Sequence, residues 1–290
     1  FLPSATMSNQ IALRIHTRPG DEVICAEASH IQRYESGAPA VLSGLQLRPL
    51  PAPRGVLAPE QIHAAINPPM PHCPPTRLVS LENTHNVAGG TLWSLEETRA
   101  VAEAARHHGL ALHLDGARFV NAVVALGVPA SAVAAPFDTV TLCLSKGLGA
   151  PAGALLVGSQ STIDAARRWK HCFGGAMRQA GILAAGGLHA LRHHLDDIAI
   201  DHAHAQRLAE ALAAVPGVRL DPWPTTNIVY FDVAGTGLSG SDAMERLLEQ
   251  GVRASGMGGT RLRFVTHRDI STDQIERAGQ ACAEALAPIS

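Results

Sequence analysis

The stretch that decides the fold is LSKGLGAP, residues 144–151, which overlaps the end of the apolar run Val140–Leu144. A short apolar run ended by polar residues is typical of a buried strand. A lysine directly after such a strand lies where open α/β sheets place their ligand sites. Only two of the 23 basic residues are lysines, Lys146 and Lys170. Lys146 therefore indicates chemistry that arginine cannot perform, such as forming a Schiff base, although alone it also fits a solvated loop lysine.

Further short apolar runs on both sides of this stretch predict additional buried strands. They are Val23–Cys25, Ala40–Leu42, Leu78–Leu81, Leu110–Leu114 and Ala154–Val157. A helix separates two of them, because Ser94 and Glu97 form a capping box and Gly109 follows as a stop. This alternation predicts an α/β fold with a mainly parallel sheet flanked by helices.

The second half of the chain has a different pattern. It is helical from about Ser161 to Val215 and is followed by a smaller predicted α+β unit. That unit has strands at Asn227–Val233 and Arg261–Val265, and helices at Ser241–Gln250 and Ser271–Leu286. We therefore predict a large domain over residues 1–195 and a small C-terminal domain over residues 196–290.

Composition excludes several classes of protein. The formal net charge is −2 without long runs of one sign, which disfavours nucleic acid or a membrane surface as partner. The longest uncharged stretch, Phe119–Phe137, is interrupted by polar residues, glycine and proline, so no membrane span is expected. Five scattered cysteines without metal spacing indicate a reduced, cytoplasmic protein. Asp197, Asp201 and His204 share a predicted helical face, which we interpret as solvated surface rather than a metal site.

A second strand of the predicted sheet ends in a carboxylate, Asp115, within LHLDGAR, residues 112–118. A buried aspartate opposite a pyridine nitrogen keeps that nitrogen protonated, as pyridoxal phosphate enzymes require. Asp115 and Lys146 would face one site if their strands were neighbours. An aspartate that merely caps the following turn is the alternative. Gly147-x-Gly149 lacks the third glycine that the dinucleotide-binding motif requires, and the sequence contains neither a P-loop motif nor a G-x-S-x-G serine-hydrolase motif.

Five collinear motifs resemble those of the low-specificity L-threonine aldolases, which are fold type I pyridoxal phosphate enzymes. The motifs are LENTHN (81–86), LHLDGAR (112–118), LSKGLGAP (144–151), GGAMRQAG (174–181) and RLRFVTH (261–267). The resemblance extends in order over essentially the whole chain.

This resemblance implies a role for each matching residue. Lys146 would hold pyridoxal 5′-phosphate covalently, Asp115 would pair with its pyridine nitrogen and Arg118 would contact its phenolic oxygen. His30 would stack on the cofactor ring, and His85 would lie near the β-hydroxyl of the substrate. Further residues would bind the phosphate (Ser4, Ala5 and Thr6) and the substrate carboxylate (Arg263 and Arg178).

Two departures from the family pattern lead to expectations of their own. Ala5 stands where the family has glycine, so a left-handed backbone there would be strained by about 1 kcal/mol. Members of the family also begin further upstream, and the chain opens with Phe1. We therefore expect that it lacks an N-terminal segment.

The sequence predicts a lyase that cleaves L-threonine or L-allo-threonine to glycine and acetaldehyde. The alternatives are another fold type I enzyme, namely an aminotransferase or a β-eliminating lyase, or a truncated and inactive fragment that binds the cofactor. The expected partners are an amino acid substrate and further copies of the chain, as a dimer or tetramer that shares its sites between subunits.

Overall fold

The computed structural model describes residues 1–288, and the chain divides into two units. The N-terminal unit comprises Phe1–Ala88 and Leu92–Leu195. The C-terminal unit comprises Gly89–Thr91 and the described residues from Asp196 onward. None of the described helices is long and apolar enough to span a membrane.

A six-stranded sheet forms the centre of the N-terminal unit, in the order β2-β1-β3-β4-β5-β6. Its strands are β1 (Glu22–Ala26), β2 (Gln46–Leu50), β3 (Thr76–Glu82), β4 (Ala111–Gly116), β5 (Thr139–Cys143) and β6 (Ala154–Gly158). The first five are parallel and β6 runs antiparallel to β5. The predicted mainly parallel sheet is therefore confirmed.

Nine helices accompany this sheet among the described residues of the N-terminal unit. They are α1 (Ala5–His16), α2 (His30–Arg33), α3 (Ala38–Ser43), α4 (Pro59–Ala65), α5 (Leu95–His107), α6 (Phe119–Leu126), α7 (Ala130–Ala134), α8 (Gln160–Cys172) and α9 (Ala180–His193). The main apolar core lies between β1, β3 and β4 and the helices α4 and α5. The capping box that begins α5 is confirmed, because the Ser94 hydroxyl accepts from the Glu97 N–H at 3.0 Å.

The strand predicted at Ala40–Leu42 is wrong, since these residues belong to α3. A three-residue apolar run has no distinguishable period, and the flanking residues decide the outcome. Pro39 lies in the first helical turn, and Gly44 ends the helix with a left-handed φ of 65°. The strand at this point of the chain is β2 instead, which the sequence did not reveal because it is a half-exposed edge strand with polar residues and Pro49.

The C-terminal unit contains a four-stranded antiparallel sheet in the order β7-β8-β10-β9. Its elements are α10 (Asp197–Ala213), β7 (Arg219–Leu220), β8 (Ile228–Asp232), a 3₁₀ turn (Ala234–Thr236), α11 (Gly240–Glu249), β9 (Ser255–Gly256), β10 (Arg261–Val265) and α12 (Thr272–Ala285). Its apolar core joins the sheet to these helices, as the predicted α+β arrangement requires.

The interpretation of Asp201 and His204 as solvated helix surface is wrong. Asp201 is completely buried in α10 and His204 is 4% exposed. Both carboxylate oxygens of Asp201 lack a hydrogen-bond partner among the described residues. Burial, reinforced by the nearby charge of Asp197, raises the pKa of Asp201 to about 7. Asp201 and the buried apolar residues lie on the same helix, and the sequence periodicity did not show that this acid is buried with them.

We predict that Asp201 makes a contribution to stability that falls as pH rises from about 4 to 7, opposite in sign to the contributions of His113 and His202, whose pKa values burial lowers to about 4. An unfolded aspartate has a pKa of about 3.9, so the folded state holds the Asp201 proton over this window and the unfolded state does not. That contribution to stability is lost as pH rises through the folded pKa. Asp201→Asn should remove this contribution, so the thermal midpoint of the variant relative to wild type should rise with pH over this window, whereas Glu210→Gln, at an exposed position of the same helix, should leave the pH dependence unchanged. A profile unaltered by Asp201→Asn would contradict the assignment.

Candidate active site

The candidate site lies at the carboxyl edge, the edge of the sheet where β1, β3, β4 and β5 end side by side. His30 begins the helix after β1, and His85 lies in the loop after β3. Asp115 is the penultimate residue of β4, and Arg118 follows it. Lys146 follows β5, which pairs with β4. The parallel sheet thus places all five predicted residues on one edge.

Asp115 is 2% exposed and is held by two N–H donors. The Asn9 amide donates to its Oδ2 at 2.8 Å, and the Ala117 backbone donates to its Oδ1 at 3.0 Å. The same Asn9 amide group donates its other hydrogen to Glu35 Oε1 at 2.9 Å. One amide therefore bridges two buried carboxylates at the base of the site.

A hydrogen-bond chain fixes the orientation of Asn9. Its Oδ1 can only accept, so the His113 Nε2–H donates to it at 3.2 Å. Burial lowers the pKa of His113 to about 4, so the neutral ring accepts at Nδ1 from the Thr139 hydroxyl at 2.9 Å. His16 Nε2 lies 3.1 Å from the Thr139 oxygen and acts as its donor. Every hydrogen of the chain therefore points towards the carboxylates.

His30 is tied to the same network through its ring and its backbone. Its Nδ1 donates to Glu35 Oε1 at 2.9 Å, and this hydrogen bond raises the pKa of His30 above its ordinary value. Its backbone N–H donates to Glu82 Oε2 at 2.8 Å. Ligand atoms of His30, Glu35 and Asp115 lie within 4.8 Å of one another, where hydrogen bonds from Asn9 already engage both carboxylates.

Glu82, the last residue of β3, joins the two loops that carry the histidines. It is 4% exposed and accepts from the backbone of His30 and, through Oε1, from the backbone of Asn86 at 2.9 Å. The Asn86 side chain in turn accepts from Arg118 at 3.4 Å. Glu82 therefore positions the turns after β1, β3 and β4 relative to one another.

His85 is completely buried rather than open to solvent. The Ala88 N–H donates to its Nδ1 at 3.3 Å, which assigns the ring proton to Nε2. That Nε2 lies 3.9 Å from Glu82 Oε2. Gly55 covers the ring so closely that a Cβ there would lie 2.2 Å from His85 Cγ.

The beginning of α1 reaches the same edge of the sheet. Leu2 pairs with Ala154, which is itself opposite Cys143 at the end of β5. Ser4 is the N-cap of α1, and its hydroxyl accepts from the backbone of Met7 at 3.2 Å. Backbone N–H groups at this helix start are suited to an anion.

The prediction of backbone strain at Ala5 is wrong. Ala5 is the first residue of α1, and the non-glycine residues with positive φ in the described chain are Ser36 and Gln179. The helix begins at Ala5 itself, so this position needs a right-handed backbone that alanine adopts freely. Thr6 lies in the same first turn.

The two arginines expected at the substrate carboxylate lie in different units. Arg178 is exposed in the turn before α9, in the N-terminal unit. Gly175, in the same turn, approaches the start of α1, because a Cβ there would meet Met7 Sδ at 2.3 Å. Arg263 is half-buried on β10 of the C-terminal unit, between Arg261 and Val265.

Sequence reasoning missed Asn9, Glu35 and Glu82. The available signal for the first was Ser8-Asn9-Gln10, a polar triplet inside α1 that is buried along its whole length. Consecutive helical residues point in different directions, so burying all three means that protein surrounds this part of the helix.

A parallel sheet with a lysine and a buried aspartate at neighbouring strand ends, in a chain that also contains a smaller antiparallel unit, is typical of the fold type I pyridoxal-phosphate-dependent enzymes. Residues 1–236 match the family model described as "Beta-eliminating lyase". The solved structure of Leishmania major threonine aldolase superimposes with a TM-score of 0.82 at 23% identity, covering 99% of this chain and 83% of that one.

Sequence comparison defines the family more narrowly. "Low-specificity L-threonine aldolase 1" of Arabidopsis thaliana is 40% identical over 281 residues, which are 95% of this chain and 78% of the relative. "Low specificity L-threonine aldolase" of Escherichia coli K12 is 38% identical over 278 residues, 95% of this chain and 80% of the relative. The chain belongs to the low-specificity L-threonine aldolase family, within the beta-eliminating lyases.

We predict that Gly55→Ala destabilises the protein more than Gly37→Ala. Both glycines have a φ of +71°, so alanine costs about 1–2 kcal/mol of backbone strain at either position. A Cβ at Gly37 meets nothing within 4 Å, whereas at Gly55 it collides with His85. Urea unfolding should show at least about 1 kcal/mol of additional loss for Gly55→Ala. Equal losses would mean that the His85 ring is not fixed against this turn.

Proposed function

We propose that this chain uses pyridoxal 5′-phosphate to cleave L-threonine or L-allo-threonine into glycine and acetaldehyde. The observation that carries the proposal is the pairing of β4 with β5, which brings the buried Asp115 and the exposed Lys146 to adjacent strand ends. Identity of about 40% to a named L-threonine aldolase supports the choice of reaction.

The residues at the carboxyl edge fit this cofactor. Among the described residues, the Asp115 carboxylate accepts two N–H bonds, so it retains lone pairs for a protonated ring nitrogen. The Ser4-Ala5-Thr6 turn at the start of α1 would hold the phosphate. When bound, pyridoxal phosphate supplies an electron sink for the bond that breaks at the substrate Cα.

Each remaining contact with the cofactor would come from the N-terminal unit. Lys146 would bind it covalently and release it to the incoming amino group. Arg118 would donate to its phenolic oxygen, and His30 would lie against the ring. The Glu35 carboxylate holds His30 Nδ1 at 2.9 Å, so the ring orientation is fixed from behind.

The residues that would bind the substrate are those that match the family motifs. Arg263 would grip the carboxylate through its planar guanidinium, with Arg178 as a second contact. His85 would orient the β-hydroxyl and help to remove its proton, directly or through water. Gly55 covers the His85 ring. In this role His85 would therefore contact the substrate through Nε2, without any movement of the turn at Gly55.

The chain is also proposed to act as a cytoplasmic homo-oligomer, a dimer or tetramer. Exposed apolar residues on α9, Ile182 at 76% and Leu188 at 49%, support an interface between copies. All five cysteines are free, which supports a reducing compartment. The proposed division is a cofactor-binding domain over residues 1–195 and a small domain from residue 196 that carries Arg263.

Product analysis tests the reaction itself. The cofactor-loaded chain should convert L-threonine to equal amounts of glycine and acetaldehyde. A keto acid would indicate an aminotransferase, and ammonia with a keto acid would indicate β-elimination. Bound cofactor without any product would favour the inactive fragment.

Lys146 is predicted to carry the cofactor rather than Lys170. Lys146 follows β5 at the carboxyl edge, whereas Lys170 lies in the last turns of α8. Borohydride reduction followed by peptide mapping should place the reduced cofactor on Lys146, and Lys170→Ala should still be labelled. Label found on Lys170 alone would refute the site assignment.

Arg263→Lys should weaken threonine binding by about 2–4 kcal/mol while leaving the absorbance of the bound cofactor intact. An ammonium cannot reproduce the two parallel hydrogen bonds of a guanidinium. The matched control is Arg261→Lys, because Arg261 lies on the same strand and instead contacts the Tyr230 ring at 4.9 Å. A KM unchanged by Arg263→Lys but raised by Arg261→Lys would move the carboxylate site to Arg261.

A further inference from the structure

Three histidines meet at one corner of the N-terminal unit, away from the carboxyl edge. His63 lies in the last turn of α4, His107 is the final residue of α5, and His108 caps that helix. The ring centroids of the three pairs are 4.9 to 5.8 Å apart. His63 Nδ1 and His108 Nε2 are hydrogen-bonded to each other at 2.8 Å, so two ring nitrogens share one proton.

The backbones beneath these rings are held in place by the apolar core. Ile62 and Ala65 of α4 pack in the same cluster as Ala104 and Ala105 of α5. Ile62 and Ala105 are completely buried. The spacing of the two helix ends is therefore set by close packing rather than by the histidines themselves.

The local electrostatics favour an added cation. The cluster lies at the carboxyl ends of two helices, where the helix dipoles place partial negative charge. The nearest cationic side chain along α5, Arg106, is paired with Asp138 at 2.8 Å. Neutral imidazoles are the form that binds metal ions.

We propose that His63 Nδ1 and His108 Nε2 form a binding site for a divalent transition-metal ion of the Ni²⁺ or Cu²⁺ type. With metal–nitrogen bonds of about 2.0–2.1 Å, ligands at right angles lie about 2.9 Å apart, and tetrahedral ligands about 3.4 Å. The two nitrogens are hydrogen-bonded at 2.8 Å, so small rotations of the rings would bring both lone pairs to the right-angled spacing of a square-planar or octahedral ion, with the metal in place of the shared proton. His107 stands edge-on to both rings and is placed to become a third ligand by a side-chain rotation.

This site is separate from the carboxyl edge. His108 precedes the first residue of β4, Ala111, whereas Asp115 lies near the other end of that strand. A strand advances by about 3.3 Å per residue, so more than 10 Å separates the two ends. Metal bound at His63 and His108 should therefore leave the reaction at the carboxyl edge unchanged.

The test is calorimetric titration of the metal-free, cofactor-loaded chain with Ni²⁺ and, separately, with Zn²⁺. His63→Ala and His108→Ala should each weaken Ni²⁺ binding at this site at least tenfold and leave threonine cleavage intact. The matched control is His193→Ala, which removes one ring of another histidine pair, His189 and His193, with centroids 4.5 Å apart. His193→Ala should bind Ni²⁺ at the His63 and His108 site as tightly as wild type does.

Electron paramagnetic resonance of the Cu²⁺ form provides a second readout, with splitting from at least two nitrogens that is reduced in His63→Ala. Thermal unfolding establishes that each variant is folded, which the exposed position of His63 favours. The proposal is overturned if Ni²⁺ affinity is the same in wild type and His63→Ala, or if only His193→Ala reduces it. Zn²⁺ binding more than tenfold tighter than Ni²⁺ would overturn the right-angled geometry.

Discussion

The amide of Asn9 lies between two buried carboxylates, and the polar core of the N-terminal unit depends on this bridge. Glu35 and Asp115 are 3% and 2% exposed, and each accepts one hydrogen of the same NH₂ group. Two carboxylates so close together would repel each other without donors between them. Asn9 sits on α1, so the packing of one helix against the sheet determines whether the site exists.

This bridge explains how distant parts of the chain are positioned together. Glu35 holds the ring of His30, and Glu82 holds its backbone. His30, a predicted cofactor residue, is thus fixed by two carboxylates that were not among the predicted site residues. Such support from behind is what keeps a site in its productive geometry.

The sequence predicted the parts of the site that follow local rules. Lys146 and Asp115 each end an apolar run, and a parallel sheet brings such ends to one edge. Asn9 and Glu35 were not predicted, because their partners lie 26 to 106 residues away and no local pattern reports such pairings. The burial of His85 was missed for the same reason, since the turn at Gly55 that covers it is distant in sequence.

Errors in the fold have an equally physical origin. The apolar run Ala40–Leu42 was too short to show a period, and glycine and proline around it selected a helix. The error at Asp201 has a different cause. A charged residue predicts solvent exposure, but the C-terminal unit buries Asp201 completely.

The most direct test of this account is the affinity of Asn9→Leu for pyridoxal phosphate. Leucine has a similar volume but cannot donate to either carboxylate. Each lost hydrogen bond to a charged group is worth about 1.5–3 kcal/mol, so the dissociation constant should rise at least tenfold. Equilibrium dialysis measures it, with circular dichroism to establish that the variant is folded. An unchanged dissociation constant in a folded Asn9→Leu protein would contradict the central role of the bridge.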